Sequence, residues 1–426
     1  MGAFAFWLCV SSFSEAAPIR NVILCIGDGM GPEQVKAAHC YAGTNLVFET
    51  FPYRSHLTTV NVDGEVTDSA AAATALSTGC KVYNGVISMA YPGDGNELET
   101  LLEYFSKRDK STGLITTSYL TDATPAGFGA HEPSRENRSQ IAADYLAQTR
   151  PNVLLGGGGE GLDAVAVTNA DYLLVTNTAS LFEVTTFSEG QHIAGLFGNG
   201  PMPYVYDGMG DLPTLAQMVC RALSFLSSDP DGFFLLIEGG RIDHACHAND
   251  LVRCVAETLA FNETVRVAAS WAAARGDTLL LVTADHETGG LTVLTDNGSG
   301  VLPGGSWSST GHTDTPVLIY GTGVNAEQVT ALSDNTELRG VACSLTQTPP
   351  VGFRIERSAE GWARTQWAVS SGDVCRIDYA PVLTSPVWLP VQTVTATSSR
   401  VVCAFTNGVS SAQGFFRMVT LLPTAE

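Results

Sequence analysis

"NVILCIGDG", residues 21–29, is a run of branched and apolar residues that ends in a glycine-flanked aspartate. It shows no polar–apolar alternation, so it reads as a strand buried on both faces, the kind found in parallel sheets. Three later runs share the pattern: "GLITTSYLTDA" (113–123), "GFFLLIEGG" (232–240) and "TLLLVTADHE" (278–287). Each apolar run gives way at once to an acidic residue. Open parallel sheets gather ligands outside the carboxyl ends of their strands. Asp28, Asp122, Glu238 and Asp285 are therefore expected on one rim.

Between the runs, "PTLAQMVCRALSFLSS" (213–228) and "VRCVAETLAFNETVRVAASWAAARG" (252–276) carry helical periodicity, the second stopping at Gly276. Strand runs alternating with helical ones predict an α/β fold with a mostly parallel central sheet flanked by helices. "GGGG" at 156–159 lacks the spacing of a dinucleotide fingerprint and is expected to be a tight loop. Beyond residue 345 the texture changes. "GFRIERS", "VCRIDYAP", "WLPVQTVTATSSRVVCAF" and "GFFRMVTL" are short alternating runs parted by turn residues, the signature of a small all-β unit. Residues 346–426 are thus expected to form a β-sandwich-like accessory domain.

The chain has 426 residues, with 45% hydrophobic residues and 18 Phe, ample for a packed core. A net charge of −21 argues against nucleic acid as a specific ligand and against attachment to an anionic membrane surface. Residues 1–17 resemble a signal peptide, with a short apolar run and small residues at Ala16 and Ala17, although no Lys or Arg precedes the run. Export to a periplasmic or extracellular location is the expectation. No later stretch is long and apolar enough to span a bilayer. The ten cysteines show no C-x-x-C pair. Cys25 sits in a buried run, and Cys246 with Cys254, or Cys375 with Cys403, are near enough in sequence to bridge, but spacing does not fix connectivity.

Chemistry-bearing residues cluster where the strands end. "EGGRIDHACH" (238–247) sets Asp243 and His247 four apart, on one face of a helical turn. "TADHETGG" (283–290) supplies Asp285 and His286, and "TGHTDTP" (310–316) supplies His312. Asp28 lies in "IGDGMG". Mixed Asp and His donors without thiolate suit catalytic zinc, and an all-oxygen set suits magnesium. In "TDSAAAATALSTG" (67–79), Ser69 opens an alanine-rich helix. Taken alone, Ser or Asp there is a helix cap. Asp28 alone would be a turn residue and His312 a loop residue. The whole set on one rim points to a multi-metal site.

The chain resembles the alkaline phosphatases, metalloenzymes with two zinc ions and one magnesium. "NVILCIGDGMG", "TDSAAAATALSTG", "TDATPAGFGAHEPSR", "EGGRIDHACH", "TADHETGG" and "GHTDTPV" follow that family's motifs in order over residues 20–330. The resemblance makes residues 18–345 a catalytic domain and implies hydrolysis of small phosphate monoesters at alkaline pH. It implies that Ser69 is the nucleophile and that a phosphoserine forms on it. Arg135 would clamp the phosphate. Asp28, Asp285 and His286 would hold one zinc, and Asp243, His247 and His312 the other. Thr124 and Glu238 would join Asp28 around magnesium, with Asp122 ordering its waters. Asp122 and His244 occupy positions that vary within the family. The family also suggests a homodimer. A phosphodiesterase of the same superfamily and a non-catalytic metal- or phosphate-binding protein are the rivals. Arg135 disfavours the first and an intact Ser69 the second.

Overall fold

The computed structural model describes residues 19–187 and 190–344, together with six strands between 354 and 421. The chain divides into two units, Met1–Ser344 and Leu345–Glu426. The expected signal peptide lies outside the described residues.

The larger unit is built on strands β1 (Asn21–Gly27), β2 (Tyr53–Leu57), β3 (Ser111–Tyr119), β4 (Val153–Gly158), β5 (Leu173–Val175), β6 (Ile193–Asn199), β7 (Phe233–Gly239) and β8 (Thr278–Thr283). Short strands β9 (Glu287–Thr288), β10 (Thr292–Thr295), β11 (Gly304–Ser306) and β12 (His312–Thr313) lead to β13 (Val317–Gly323). The main sheet has nine strands in the order β2-β13-β8-β1-β7-β3-β4-β6-β5. All neighbours are parallel except β13, which runs antiparallel to both β8 and β2. The four runs singled out in the sequence are thus four adjacent central strands, β8-β1-β7-β3.

Register fixes where their acidic residues emerge. Ile26 pairs with Glu238 of β7 on one side and with Thr283 of β8 on the other. Asp28 and Asp285 each follow two residues beyond one aligned pair, so they leave the sheet at the same level. β1, β7 and β8 are buried along their whole length, as continuous apolar runs require when helices cover both faces.

The helices of this unit are α1 (Pro32–Ala42), α2 (Ser69–Thr78), α3 (Leu101–Ser106), α4 (Ala123–Gly129), α5 (Arg138–Asp144), α6 (Ala164–Asn169), α7 (Thr178–Glu183), α8 (Leu215–Leu226), α9 (Arg241–His247), α10 (Leu251–Ala273) and α11 (Leu338–Ser344). The two helices expected from periodicity are α8 and α10, and α10 ends at Ala273, shortly before Gly276 turns the chain at φ 74°. Every residue of α2 is buried. Its alanines permit a close approach to α4, because a Cβ added at Gly127 would lie 2.7 Å from Ala73 Cβ.

The glycine run at 156–159 is not a loop. Gly156, Gly157 and Gly158 belong to strand β4, and the turn begins only at Gly159, at φ 76°. The glycines are there because neighbouring backbone crowds the strand: a Cβ on Gly157 would meet the Gly200 carbonyl oxygen at 2.0 Å.

In the smaller unit, strands β14 (Arg354–Arg357), β15 (Ala363–Ala368) and β18 (Arg400–Phe405) form one antiparallel sheet. Strands β16 (Val374–Ala380), β17 (Leu389–Thr395) and β19 (Phe415–Leu421) form another. Cys375 and Cys403 lie on strands of different sheets; their side chains fall outside the described residues.

Candidate active site

Ser69 is the first residue of α2. Asp68 caps that helix, accepting from the Ala71 amide at 3.0 Å. The capping role is therefore filled by the neighbour, and the Ser69 hydroxyl is left for other use. Its Oγ lies 3.2 Å from His286 Nε2. At the helix N-terminus it also stands in the positive end of the α2 dipole.

His286 follows Asp285 directly off β8, and both side chains are completely buried. His286 Nε2 is 3.2 Å from Asp285 Oδ2 and 3.7 Å from Asp28 Oδ1. Asp285 Oδ1 accepts from the Gly29 amide at 3.1 Å, tying the end of β8 to the turn after β1. On α9, Asp243 Oδ2 lies 3.2 Å from His247 Nε2, one helical turn on. His312 completes this group, 3.2 Å from His247 Nε2 and 3.7 Å from Asp243 Oδ1. Two donor sets thus converge: Asp243, His247 and His312, and Asp28, Asp243 and His286, each with ligand atoms within 4.8 Å of one another. The first set faces solvent, with the His247 side chain 40% exposed, while the second is buried.

Glu238 is in neither set. It receives a hydrogen bond from the Thr116 hydroxyl of the adjacent strand. Asp122 caps α4 and accepts from Ser118 Oγ at 2.6 Å. Arg135 bridges the two halves of the rim, 3.2 Å from Asp68 Oδ2 and 3.1 Å from Asp122 Oδ1. Two further bonds fix that arm: the Gly85 amide donates to Asp68 Oδ2 at 3.0 Å, and the Arg135 amide donates to the Gly85 carbonyl at 2.7 Å. His244 stands apart from the donor sets, its Nδ1 2.6 Å from Arg241 Nη1.

The electrostatics describe a centre short of positive charge. Burial, then the charges of Asp285, Asp243, Glu238 and Asp122, raise the Asp28 carboxyl well above its ordinary value. Burial and then Asp122 push Glu238 up to about 8. Burial and then Asp243 push Asp285 up to about 6. Asp243 moves the other way. Burial works against its ionisation, but the His247 hydrogen bond and the neighbouring imidazoles hold it well below the carboxylate range. The same bond raises His247 to about 9, while burial lowers His286 to about 4. Buried carboxylates crowded together in this way require cations or protons to coexist.

Unsatisfied atoms point to cations. Asp28 Oδ1, Asp285 Oδ2 and Thr124 Oγ1 are buried and lack a well-formed hydrogen bond. Buried polar atoms are rarely left so, and these three belong to residues whose oxygens and adjacent imidazoles form a hard, mixed donor set suited to zinc and magnesium.

Several supporting residues were not singled out in the sequence. Thr288 donates to Asp243 Oδ1 at 2.5 Å and lies 3.2 Å from His286 Nδ1, so one hydroxyl orients a residue from each donor set. The Thr310 carbonyl meets His247 Nδ1, and the Thr67 carbonyl meets His312 Nδ1 at 2.9 Å. Such contacts fix which ring nitrogen faces the centre. Thr288 sits two residues past His286 in "TADHETGG", which is a usable signal; the carbonyl partners leave none.

Fold and site together define an α/β protein carrying a compound metal-type centre beside a serine at a helix mouth. A family model for alkaline phosphatase matches residues 19–164 and 158–306. Alkaline phosphatase 3 of Bacillus subtilis is 39% identical over 298 residues, 65% of this chain and 63% of the relative, so the match spans less than two thirds of that protein. The alkaline phosphatase of Escherichia coli is 32% identical over 402 residues, 75% of this chain and 84% of the relative. A TAB5 alkaline phosphatase variant with Mg bound in its M3 site superposes with a TM-score of 0.69 at 27% identity, covering 78% of this chain and 99% of that one. The chain belongs to the alkaline phosphatase family.

Proposed function

We propose that the protein hydrolyses phosphate monoesters at alkaline pH, with Ser69 as nucleophile and a phosphoserine as intermediate. The observation that carries this is the position of the Ser69 hydroxyl, released from capping by Asp68 and set 3.2 Å from His286 at the edge of the buried donor set. Zinc held by Asp28, Asp285 and His286, zinc held by Asp243, His247 and His312, and magnesium held by Asp28, Thr124 and Glu238 would supply Lewis acidity at the attacking and leaving oxygens.

The chain's own groups do the rest. Ser69 attacks phosphorus in line and takes the phosphoryl group, and the α2 N-terminus offers amides and positive potential to the incoming oxygens. Arg135 offers its fork to two non-bridging oxygens. Asp68 and Asp122 hold that fork at one orientation before substrate arrives. His244, with Nδ1 against Arg241, is left as an outlying positioning group. The leaving group departs on the side of His247 and His312, the exposed edge. A second in-line attack, by water, frees Ser69.

Residues 1–17 serve as an export signal and residues 346–426 as an accessory β domain, and the protein acts outside the cytoplasm as a homodimer. No helix among the described residues is long and apolar enough to cross a membrane.

The test compares p-nitrophenyl phosphate with bis-p-nitrophenyl phosphate at alkaline pH, on zinc- and magnesium-loaded protein, with a chelated control and Ser69→Ala. Monoester turnover that falls by about three orders of magnitude or more in Ser69→Ala is expected, in keeping with loss of an activated nucleophile. A preference for the diester would show that Arg135 is not aimed at substrate. No turnover with metals bound would leave a binding protein.

A further inference from the structure

Helix α9 carries Asp243 and His247, and it ends against α10 through two sulfurs. Cys246 Sγ lies 3.5 Å from Cys254 Sγ, and both residues are fully buried. Both are free thiols in the structure. Between them the chain turns sharply: Asn249 sits at φ 52°, and Asp250 caps α10 by accepting from the Arg253 amide at 3.0 Å. A disulfide needs its sulfurs about 2 Å apart, so closing the gap asks for less than about 1 Å from each side chain.

We propose that Cys246 and Cys254 form a disulfide that fastens α9, and with it the Asp243–His247 donor pair, to α10. The reaction is thiol–disulfide exchange with a low-molecular-weight disulfide. One cysteine thiolate attacks a sulfur of that disulfide, which releases one small thiol and leaves a mixed disulfide. The other cysteine thiolate then attacks the protein sulfur and releases the second small thiol. Two cysteine thiols lose two electrons and two protons, and the small disulfide is reduced to two thiols. Because the pair is buried, exchange takes place while the turn at 248–250 is open, before or during closure of α9 on α10. The cross-link closes a ring of only a few residues, so its effect is local: it limits the independent movement of a helix just seven residues long. The bond itself does not depend on the phosphatase reading, whereas its effect on metal retention does.

Tryptic cleavage separates the two cysteines, since Arg241, Arg253 and Arg266 bound the peptides 242–253 and 254–266. Full-length protein exported into an oxidising compartment, and a second sample incubated with oxidised glutathione, are alkylated without reduction and mapped by mass spectrometry. The expected result is a linked pair of these peptides, separated by reductant and absent from Cys254→Ala. Alkylation of both cysteines in both samples, or linkage of either to another cysteine, overturns the proposal. On zinc-loaded protein, transfer of zinc to a chromophoric chelator should be severalfold slower in the oxidised form than after reduction, with no such difference in Cys254→Ala. Equal rates with the linked peptide present would remove the clamping role and leave the bond. A protein that maps as cross-linked but binds no zinc would count against the metal site and not against the disulfide.

Discussion

Arg135 is held before any substrate is present. Its two amino groups rest on different carboxylates, Asp68 at 3.2 Å and Asp122 at 3.1 Å, so the fork is oriented by two anchors on separate elements. Burial would lower its basicity, but Asp122 and Asp68 more than offset that and hold the guanidinium firmly charged. Replacing it with alanine should lower kcat/KM for a monoester by about 10²–10³-fold, the usual loss for a preorganised donor to developing negative charge. Arg135→Lys should recover little of this, because a point charge does not reproduce a planar fork. Steady-state kinetics of both variants decide the matter, and full activity in Arg135→Lys would contradict the bidentate role. At this scale the sequence showed which residue types gather but not what holds them. Asp243, His247, His286 and His312 stand out in their motifs, and Asp68 was legible as a cap. That Asp68 also anchors Arg135 depends on a long-range contact, and no local pattern encodes it.

Among the elements, β4 shows best where local pattern fails. Its glycines read as a turn, because glycine favours turns wherever nothing else constrains it. The backbone around Gly200 lies where a side chain at Gly157 would stand, so that position of the strand can carry none. Gly157→Ala should destabilise by about 1–3 kcal/mol, as other overpacked sites do. Urea unfolding that matched the parent protein would show that the segment yields. A second test belongs to α10. Glu257 is buried there and accepts from the Val205 amide at 2.7 Å, while burial, the leading cause, lifts its carboxyl to about 7. Its folded pKa exceeds its ordinary value of 4.5, so the protein loses stability as pH rises between these values, and the loss is complete above pH 7. Glu257→Gln keeps an acceptor without the charge. It should match the parent near pH 4 and exceed it at pH 8 by about 3 kcal/mol, from the size of the shift. Parallel stability curves for the two proteins would refute this. The central strands β1, β7 and β8, by contrast, were plain in the sequence, since each carries an unbroken apolar run. The edge strands β2 and β5 are short and half exposed, β13 beside β2 is mixed, and the pairing of β2 with β13 joins segments far apart along the chain.

For the molecule as a whole, metal and fold should be linked. Ligands that bind the native centre and not the unfolded chain stabilise by mass action. Chelation should therefore lower Tm by several degrees, restored by zinc with magnesium, and the fall should be small in Asp243→Asn, which already lacks a shared donor. Calorimetry with and without chelator measures this, and an unchanged Tm would mean that the carboxylates are neutralised by protons alone. The alternation of apolar and helical runs announced an α/β chain, the net charge an acidic one, and the change of texture near residue 345 a second unit. All were silent on strand order, because the sequence of apolar runs does not say which of them become neighbours.

That order has a consequence for how the molecule matures. The residues of the two donor sets come from the ends of β1 and β8, from α9 and from the segment leading to β13, so no single stretch of chain holds more than a fragment of the centre. β13 enters last in sequence, yet it lies between β2 and β8, inside the sheet. A nascent chain that has not yet received it lacks His312 in place and offers an ion only a partial grip. On the proposed ligand assignment, tight capture of metal would be reserved for chains whose sheet has been closed, and the centre would certify the completeness of the fold that builds it.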